Sequence, residues 1–340
     1  MKLSARLAAR PTLLDALARA IGPDGASELD PSVPANVWQR ALSGPAFDFL
    51  SRPGKELRAS IVRAGAMLGG GAVSDTVDRL AFIVEVLHAG SLIIDDVQDN
   101  SSERRGAPAL HETYGVPLAI NTGSWMYFWA QGELAALGLA PALELEAHRA
   151  TITALVRCHQ GQALDLSVRI ADIDVAEVPA VVAATTRLKT AALCRLAAEL
   201  GAIAAAAAPV HKQAIGRFGE AMGTSLQMLD DLGSLTSPRR RAKGLEDLVA
   251  GRPTWPWAWL AQHRSFAWSR CAAMGRAVAE GSGDADELIA VLIEEIAAIG
   301  RSEVRGTLDA AHSGLEATFG ASPIVEHVFG DLAAMEHSFG

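Results

Sequence analysis

The 340-residue chain contains only three cysteines and two tyrosines, and it is short of base, carrying a net charge of −9. Cys158, Cys194 and Cys271 lie far apart with no CxxC, so neither a disulfide framework nor a zinc site is indicated, and a reduced cytoplasm is the expected compartment. No basic domain exists beyond the local run Arg239 to Arg241, which argues against a nucleic-acid partner. No stretch reaches the roughly 18 uninterrupted apolar residues of a membrane helix. The nearest, Leu200 to Val210, is short and mostly alanine, so no transmembrane segment is expected. At the N-terminus, Arg6, Arg10 and Asp15 interrupt the apolar stretch before a signal-peptide core can form; it reads as an amphipathic first helix. Internal repeats are absent, and low-complexity sequence is limited to the alanine run Ala204 to Ala208.

What is abundant is hydrophobic residue, 50% in the broad count, arranged with helical periodicity along nearly the whole length. Glycine and proline punctuate it, for example at Arg52 to Gly54, Gly69 to Ser74, Ser101 to Pro108, Ser237 to Arg241 and Gly251 to Pro256. None of these joints is long or polar enough for an interdomain linker, so the pattern predicts one all-α domain over residues 1–340.

The most chemically loaded stretch is Leu87 to Gly106, LHAGSLIIDDVQDNSSERRG. Asp95 and Asp99 are four apart and stack on one helix face, while Asp96 projects about 100° away. Alone, a DDxxD also fits a solvated acidic helix face. The residues before it, Phe82, Ile83, Val86, Leu87, Leu92, Ile93 and Ile94, make the helix apolar on most sides and therefore buried. Carboxylates ending a buried helix need partners, and a hard cation with oxygen ligands, Mg²⁺ above all, relieves their repulsion.

Other candidates are weaker singly. Lys55 and Arg58 sit three apart at the expected start of a helix, where cations are unfavourable unless an anion docks. Trp125, Phe128 and Trp129 form a helical aromatic stripe suited either to core packing or to the end wall of an apolar cavity. Gln162 and Asp165 lie one turn apart, and Lys189 with Thr190 offers a cation and a hydroxyl to phosphate oxygens. A second acidic site, Asp230 and Asp231, follows Gln227 by one turn, with Lys243, Asp247 and Arg252 downstream. Two acidic helix ends accompanied by cations suggest one site built from facing helices.

These motifs, in this order, resemble the trans-isoprenyl diphosphate synthase (polyprenyl synthetase) family. Asp95 to Gly106 matches its DDxxD with the following RRG; Gly54, Lys55 and Arg58 match GKxxR; His88 stands seven before the first aspartate; Gly161 to Leu166 matches GQxxDL. Lys189 and Thr190 supply KT, Gln227 to Asp231 the start of the second acidic motif, and Gly251 to Pro256 the later glycine-to-proline motif. The resemblance implies an isoprenoid synthase-type helical bundle around a deep apolar cavity, usually homodimeric. Three Mg²⁺ ions are implied, Asp95 and Asp99 binding two and Asp230 the third, with Asp96 and Asp231 counted in the metal set. Arg104, Lys189 and Lys243 are implied to neutralise the allylic diphosphate, and Lys55, Arg58, His88 and Arg105 to hold isopentenyl diphosphate. Gln162, Asp165, Thr190 and Gln227 are implied supporting polar contacts.

The implied activity is condensation of an allylic diphosphate with isopentenyl diphosphate to an all-trans short-chain product, C20 favoured and C15 next. The expectation for length rests on small Gly90 and Ser91 just before Asp95, which leave the cavity open, and on Trp125, Phe128 and Trp129 closing it further down. Departures from the family pattern are Ser234 at the fifth position of the second motif, Ser124, Ile94, Arg252 and the position of Lys243. They leave open a class I terpene cyclase, or a partner subunit with weak or no catalysis, on the same scaffold.

Overall fold

The computed structural model describes residues 29–54 and 56–336; the expected amphipathic first helix and Lys55 lie outside them. The described chain is helical as expected: α1 (Ala35–Trp38), α2 (Gly44–Ser51), α3 (Leu57–Leu68), α4 (Asp75–Asp99), α5 (Leu110–Tyr114), α6 (Val116–Ala135), α7 (Pro141–Ser167), α8 (Val178–Thr185), α9 (Ala192–Ala204), α10 (Pro209–Thr236), α11 (Arg241–Val249), α12 (Trp255–His263), α13 (Ser265–Ala279), α14 (Ala285–Phe319) and α15 (Pro323–Glu336). A two-stranded antiparallel ribbon, β1 (Glu103–Arg104) and β2 (Ala107–Pro108), interrupts them. No described helix is long and apolar enough to cross a membrane.

Contacts gather these helices into two compact units. One comprises the chain up to Arg149 together with Leu200–Ala207; the other comprises Ala150–Glu199 and the chain from Ala208 onward. In the first unit α4 is the axis, packing chiefly on α6 and α3. Its middle is buried on nearly every side, from Val77 and Leu80 through Val86, Leu87 and Ile93, which is why its apolar residues show no single stripe. Ser74 caps its start by accepting the Val77 N–H, and Asp75 and Asp78 sit at the positive end of its dipole.

The second unit is built on α10, which packs along α14. Gly216, Gly219 and Gly223 line one face of α10 against Glu199, Ala198, Cys194 and Ala191. These side-chain-free positions let α9 approach closely. One joint carries no glycine: the alanine run does not stay helical, because α9 ends at Ala204, Ala206 turns at φ 49° and Pro209 starts α10.

A Cβ on Gly219 would stand 2.6 Å from the Cys194 carbonyl oxygen and 2.7 Å from the Ala198 Cβ. Gly219→Val is expected to overpack this seam at a cost of about 1–3 kcal/mol. Thermal unfolding followed by circular dichroism reads it as a lower Tm with native helix content; an unchanged Tm would contradict the close approach.

Candidate active site

The first acidic motif occupies the last two turns of α4, and the sequence itself stops the helix there. Asn100 adopts the left-handed conformation at φ 52°, the Ser101 N–H donates to the Asp96 carbonyl at 2.9 Å and the Asn100 N–H to the Val97 carbonyl at 3.4 Å. This is a Schellman closure with asparagine in the place glycine usually takes. The aspartates therefore add charge to the negative end of a helix dipole, which only cations can offset.

Adjacent aspartates part company. Asp96 is fully buried and accepts from Arg104 Nε at 2.7 Å and from its Nη2, while its Oδ2 makes no hydrogen bond. Burial raises its pKa against the pull of Arg104. Asp95 and Asp99 stay partly open on the other side, with Arg104 Nη2 3.9 Å from Asp95. Two partly exposed carboxylates one turn apart form a hard oxygen donor set that fits Mg²⁺. Burial opposes the charge on Arg104, but Asp96, Asp95 and Asp99 outweigh it and hold the guanidinium above its ordinary range.

Toward the middle of α4, Arg58, Arg104 and Arg105 lie within electrostatic range of His88. Glu56 enters α3 at φ 44°, and the buried Glu85 of α4 accepts the Ala59 N–H at 3.0 Å. An anion thus does sit at the start of α3 beside Arg58, and it belongs to the protein. Glu85 cannot balance its surroundings alone. Desolvation, reinforced by Arg58, Arg105 and Arg104, pushes His88 well below its usual value, so its ring is neutral at pH 7. Burial, joined by Arg104, Arg58 and Arg52 and opposed by Glu85, also lowers Arg105. Arg58 Nε is buried with no hydrogen-bond partner. An unpaired guanidinium N–H among other cations is the chemistry of an anion pocket.

In the second unit the same division recurs on α10. Asp230 pairs with Lys243 and with Arg240. Burial works against its charge, yet these two cations hold it below the usual carboxylate range. Asp231 turns inward, accepting from Gln227 Nε2 at 2.7 Å and from the Trp255 N–H at 3.0 Å, and burial raises it to about 7. Gln227 therefore serves Asp231, not Asp230 as the one-turn spacing suggested, and its carbonyl accepts from Thr190 Oγ1 at 2.8 Å. Trp255 Nε1 donates to Thr186 at 2.9 Å, tying this group to the segment that carries Lys189.

That segment, Thr186–Ala191, is a π-helical turn, a widening that re-aims side chains and that periodicity does not reveal. Lys189 Nζ donates to Asp165 at 2.7 Å, and Arg252 lies 3.9 Å from Asp165 and 3.6 Å from Asp247. Burial raises Asp247 to about 6 despite Lys243 and Arg252. Gly161 explains the glycine of GQxxDL: any Cβ there would overlap the backbone of Leu188 and Lys189. Gln162 lies half-buried one turn before Asp165.

Two expectations are corrected. Phe128 is 76% exposed and walls nothing inside the protein, whereas Trp129 is buried, stacked on Trp125 at 5.6 Å and edge-on to Phe82 at 5.6 Å. Gly90 is small because α6 presses on it: a Cβ would meet the Gly123 carbonyl oxygen at 2.8 Å and Met126 Cβ at 3.1 Å. Its size serves helix packing, and of the two small residues only Ser91 is left partly open. Sequence reading also passed over Arg52, Glu85, Arg240 and Trp255. Arg240 was visible only as part of a basic run, although it follows Asp230 by ten residues.

Ser234 is buried, donates to the Asp231 carbonyl at 2.7 Å, and has Gly244 of α11 packed on its own carbonyl. Restoring the acidic residue by Ser234→Asp is expected to destabilise the fold by about 1–3 kcal/mol, because a carboxylate there loses water without gaining donors. Denaturant unfolding measures this; a variant as stable as the parent would show that the position opens to solvent.

The sequence profile described as polyprenyl synthetase matches residues 39–288. A geranylgeranyl pyrophosphate synthase of Apiospora sacchari is 32% identical over 231 residues, covering 67% of this chain and 65% of that relative. A geranylfarnesyl diphosphate synthase of Aeropyrum pernix is 34% identical over 220 residues, covering 63% of this chain and 68% of the relative. The match takes in just under two thirds of the first two curated relatives, 65% and 66% of their lengths. Among solved structures, the geranylgeranyl pyrophosphate synthase of Corynebacterium glutamicum, complexed with isoprenyl diphosphate and magnesium, superposes with a TM-score of 0.76 at 24% identity, covering 96% of each chain. The polyprenyl synthase of Caulobacter crescentus gives a TM-score of 0.70 at 24% identity, covering 97% of this chain and 98% of the other. At that identity the structures establish the shared all-α fold, and the profile match establishes descent: the chain belongs to the polyprenyl synthetase family.

Proposed function

We propose that this chain is a Mg²⁺-dependent prenyltransferase that condenses an allylic diphosphate with isopentenyl diphosphate to an all-trans short-chain prenyl diphosphate, C20 ahead of C15. What supports the reading is a grouping within one unit: partly exposed Asp95 and Asp99, and the guanidinium groups of Arg58 and Arg105 beside neutral His88. A cyclase or a scaffold needs no second diphosphate pocket. Relatives named as geranylgeranyl and geranylfarnesyl diphosphate synthases support the short-chain product.

In this reading Asp95, Asp99 and Asp230 are the Mg²⁺ ligands, three ions in all. Asp96 and Asp231, engaged inward, orient their neighbours. Bound Mg²⁺ would stabilise charge on the departing pyrophosphate. Arg104, Lys189 and Lys243 are the cations assigned to allylic diphosphate oxygens. Asp165 aims Lys189, and Gln162, Thr190 and Gln227 add polar contacts. Lys55, with Arg58, neutral His88 and Arg105, holds isopentenyl diphosphate. Once the allylic substrate ionises, water must be excluded, and the growing tail lies along apolar surface ended by Trp125 and Trp129.

The whole chain, residues 1–340, serves as one functional domain in a homodimer. Exposed Ile120 and Phe128 on α6 of the first unit support a protein partner there, as do exposed Ile152 and Val156 on α7 for the second unit taken by itself. That no disulfide joins Cys158, Cys194 and Cys271 supports a reducing, cytoplasmic setting.

Incubation with Mg²⁺, isopentenyl diphosphate and each of the C5, C10 and C15 allylic diphosphates is the test. Pyrophosphate release requiring both substrates, with a C20 product, is expected. A hydrocarbon formed from an allylic diphosphate alone would replace this reading by cyclisation, and no turnover with any primer would replace it by a noncatalytic subunit.

A further inference from the structure

Arg52 follows α2 and is 8% exposed, an unusual depth for a guanidinium. Its Nη1 donates to the Arg104 carbonyl at 3.2 Å and to the Pro108 carbonyl at 2.8 Å, so a single nitrogen ties β1 to β2. The rest of the group is held from behind: Nε donates to Asp48 at 3.3 Å, and the guanidinium lies 5.4 Å from the centre of the Phe49 ring. Arg105 approaches the same ring at 5.4 Å.

The ribbon needs this support. It consists of two residue pairs joined by Arg105 and Gly106, both at positive φ, 57° and 76°. An isolated hairpin is marginal even when longer, and arginine is a poor occupant of the left-handed region. Within this turn Arg105 must stand against Gly54, where a Cβ would meet its guanidinium carbon at 3.4 Å, and beside Arg58 and His88. Arg104, by contrast, has its own anchor in Asp96.

We infer that Arg52 is a positioning residue that clamps the ribbon so that Arg105 faces the isopentenyl diphosphate pocket. The inference rests on the reading of that pocket proposed above. A fork reaching two carbonyls and a carboxylate is specific to arginine, since a lysine ammonium at the same place can serve only part of the set.

Calorimetric titration of the full chain with isopentenyl diphosphate, and separately with an allylic diphosphate analogue plus Mg²⁺, tests it on Arg52→Ala, Arg52→Lys, Arg105→Ala and the double variant Arg52→Ala/Arg105→Ala. Circular dichroism selects the variants that retain native helix content. Arg52→Ala is expected to weaken isopentenyl diphosphate about tenfold or more while sparing the allylic side, Arg52→Lys to weaken it less, and Arg52→Ala to add nothing once Arg105 is gone. If Arg52→Ala does not fold, the Arg52→Lys loss and its disappearance in an Arg105→Ala background carry the same decision. Equal losses for both ligands, additive losses with Arg105→Ala, or a lower Tm with unchanged affinity would overturn the clamp. Unchanged affinity in Arg105→Ala itself would instead overturn the pocket reading.

Discussion

Carboxylates held together at the ends of apolar helices repel one another, and the structure answers that repulsion in the same way twice. Neighbouring residues on a helix differ by about 100°, so the two side chains of an Asp-Asp pair leave the helix in different directions. One goes in and takes protein donors, Asp96 from Arg104 on one of its two oxygens and Asp231 from Gln227 and the Trp255 N–H. The other stays at the accessible side. Much of the surrounding architecture follows from this: the Schellman stop after Asp99, the ribbon that returns Arg104 to Asp96, and the placing of α12 so that its first N–H reaches Asp231.

The buried partner gives rigidity to the open one. Asp96 joins the ribbon to α4, and Asp231 joins α10 to α12 and, through Gln227 and Thr190, to the π-helical turn bearing Lys189. Such networks are costly to leave half-satisfied, which holds the outward carboxylates in defined positions. The same logic governs Glu85, whose burial is tolerable because it closes the N-terminus of α3 among Arg58 and Arg105.

What the sequence made legible was short-range. Helical periodicity, the two acidic motifs and the phase that separates Asp96 from Asp95 and Asp99 are all properties of a few consecutive residues. Partners brought from a distance in sequence were not legible: nothing local to Arg52 announces that it will bond the carbonyls of residues 104 and 108, nor does Trp255 announce Asp231. Small residues misled for a related reason. Gly90 looked like an absent wall, yet its size is set by α6, and Phe128 shared a helical stripe with Trp129 while facing solvent. Helical phase fixes which residues share a face, but only packing decides which face is inside.

The claim that each acidic motif divides its aspartates into an orienting and a metal-binding member is the one on which the functional reading turns. It is tested most directly by calorimetric Mg²⁺ titration, in the presence of pyrophosphate, of Asp95→Asn, Asp96→Asn, Asp230→Asn and Asp231→Asn, with Tm measured on the same samples. The account predicts that the Asp95 and Asp230 variants lose Mg²⁺ affinity at nearly native Tm, while the Asp96 and Asp231 variants lose Tm and keep most of their affinity. The reverse pattern, with Asp96→Asn or Asp231→Asn abolishing Mg²⁺ binding at native Tm, would contradict it.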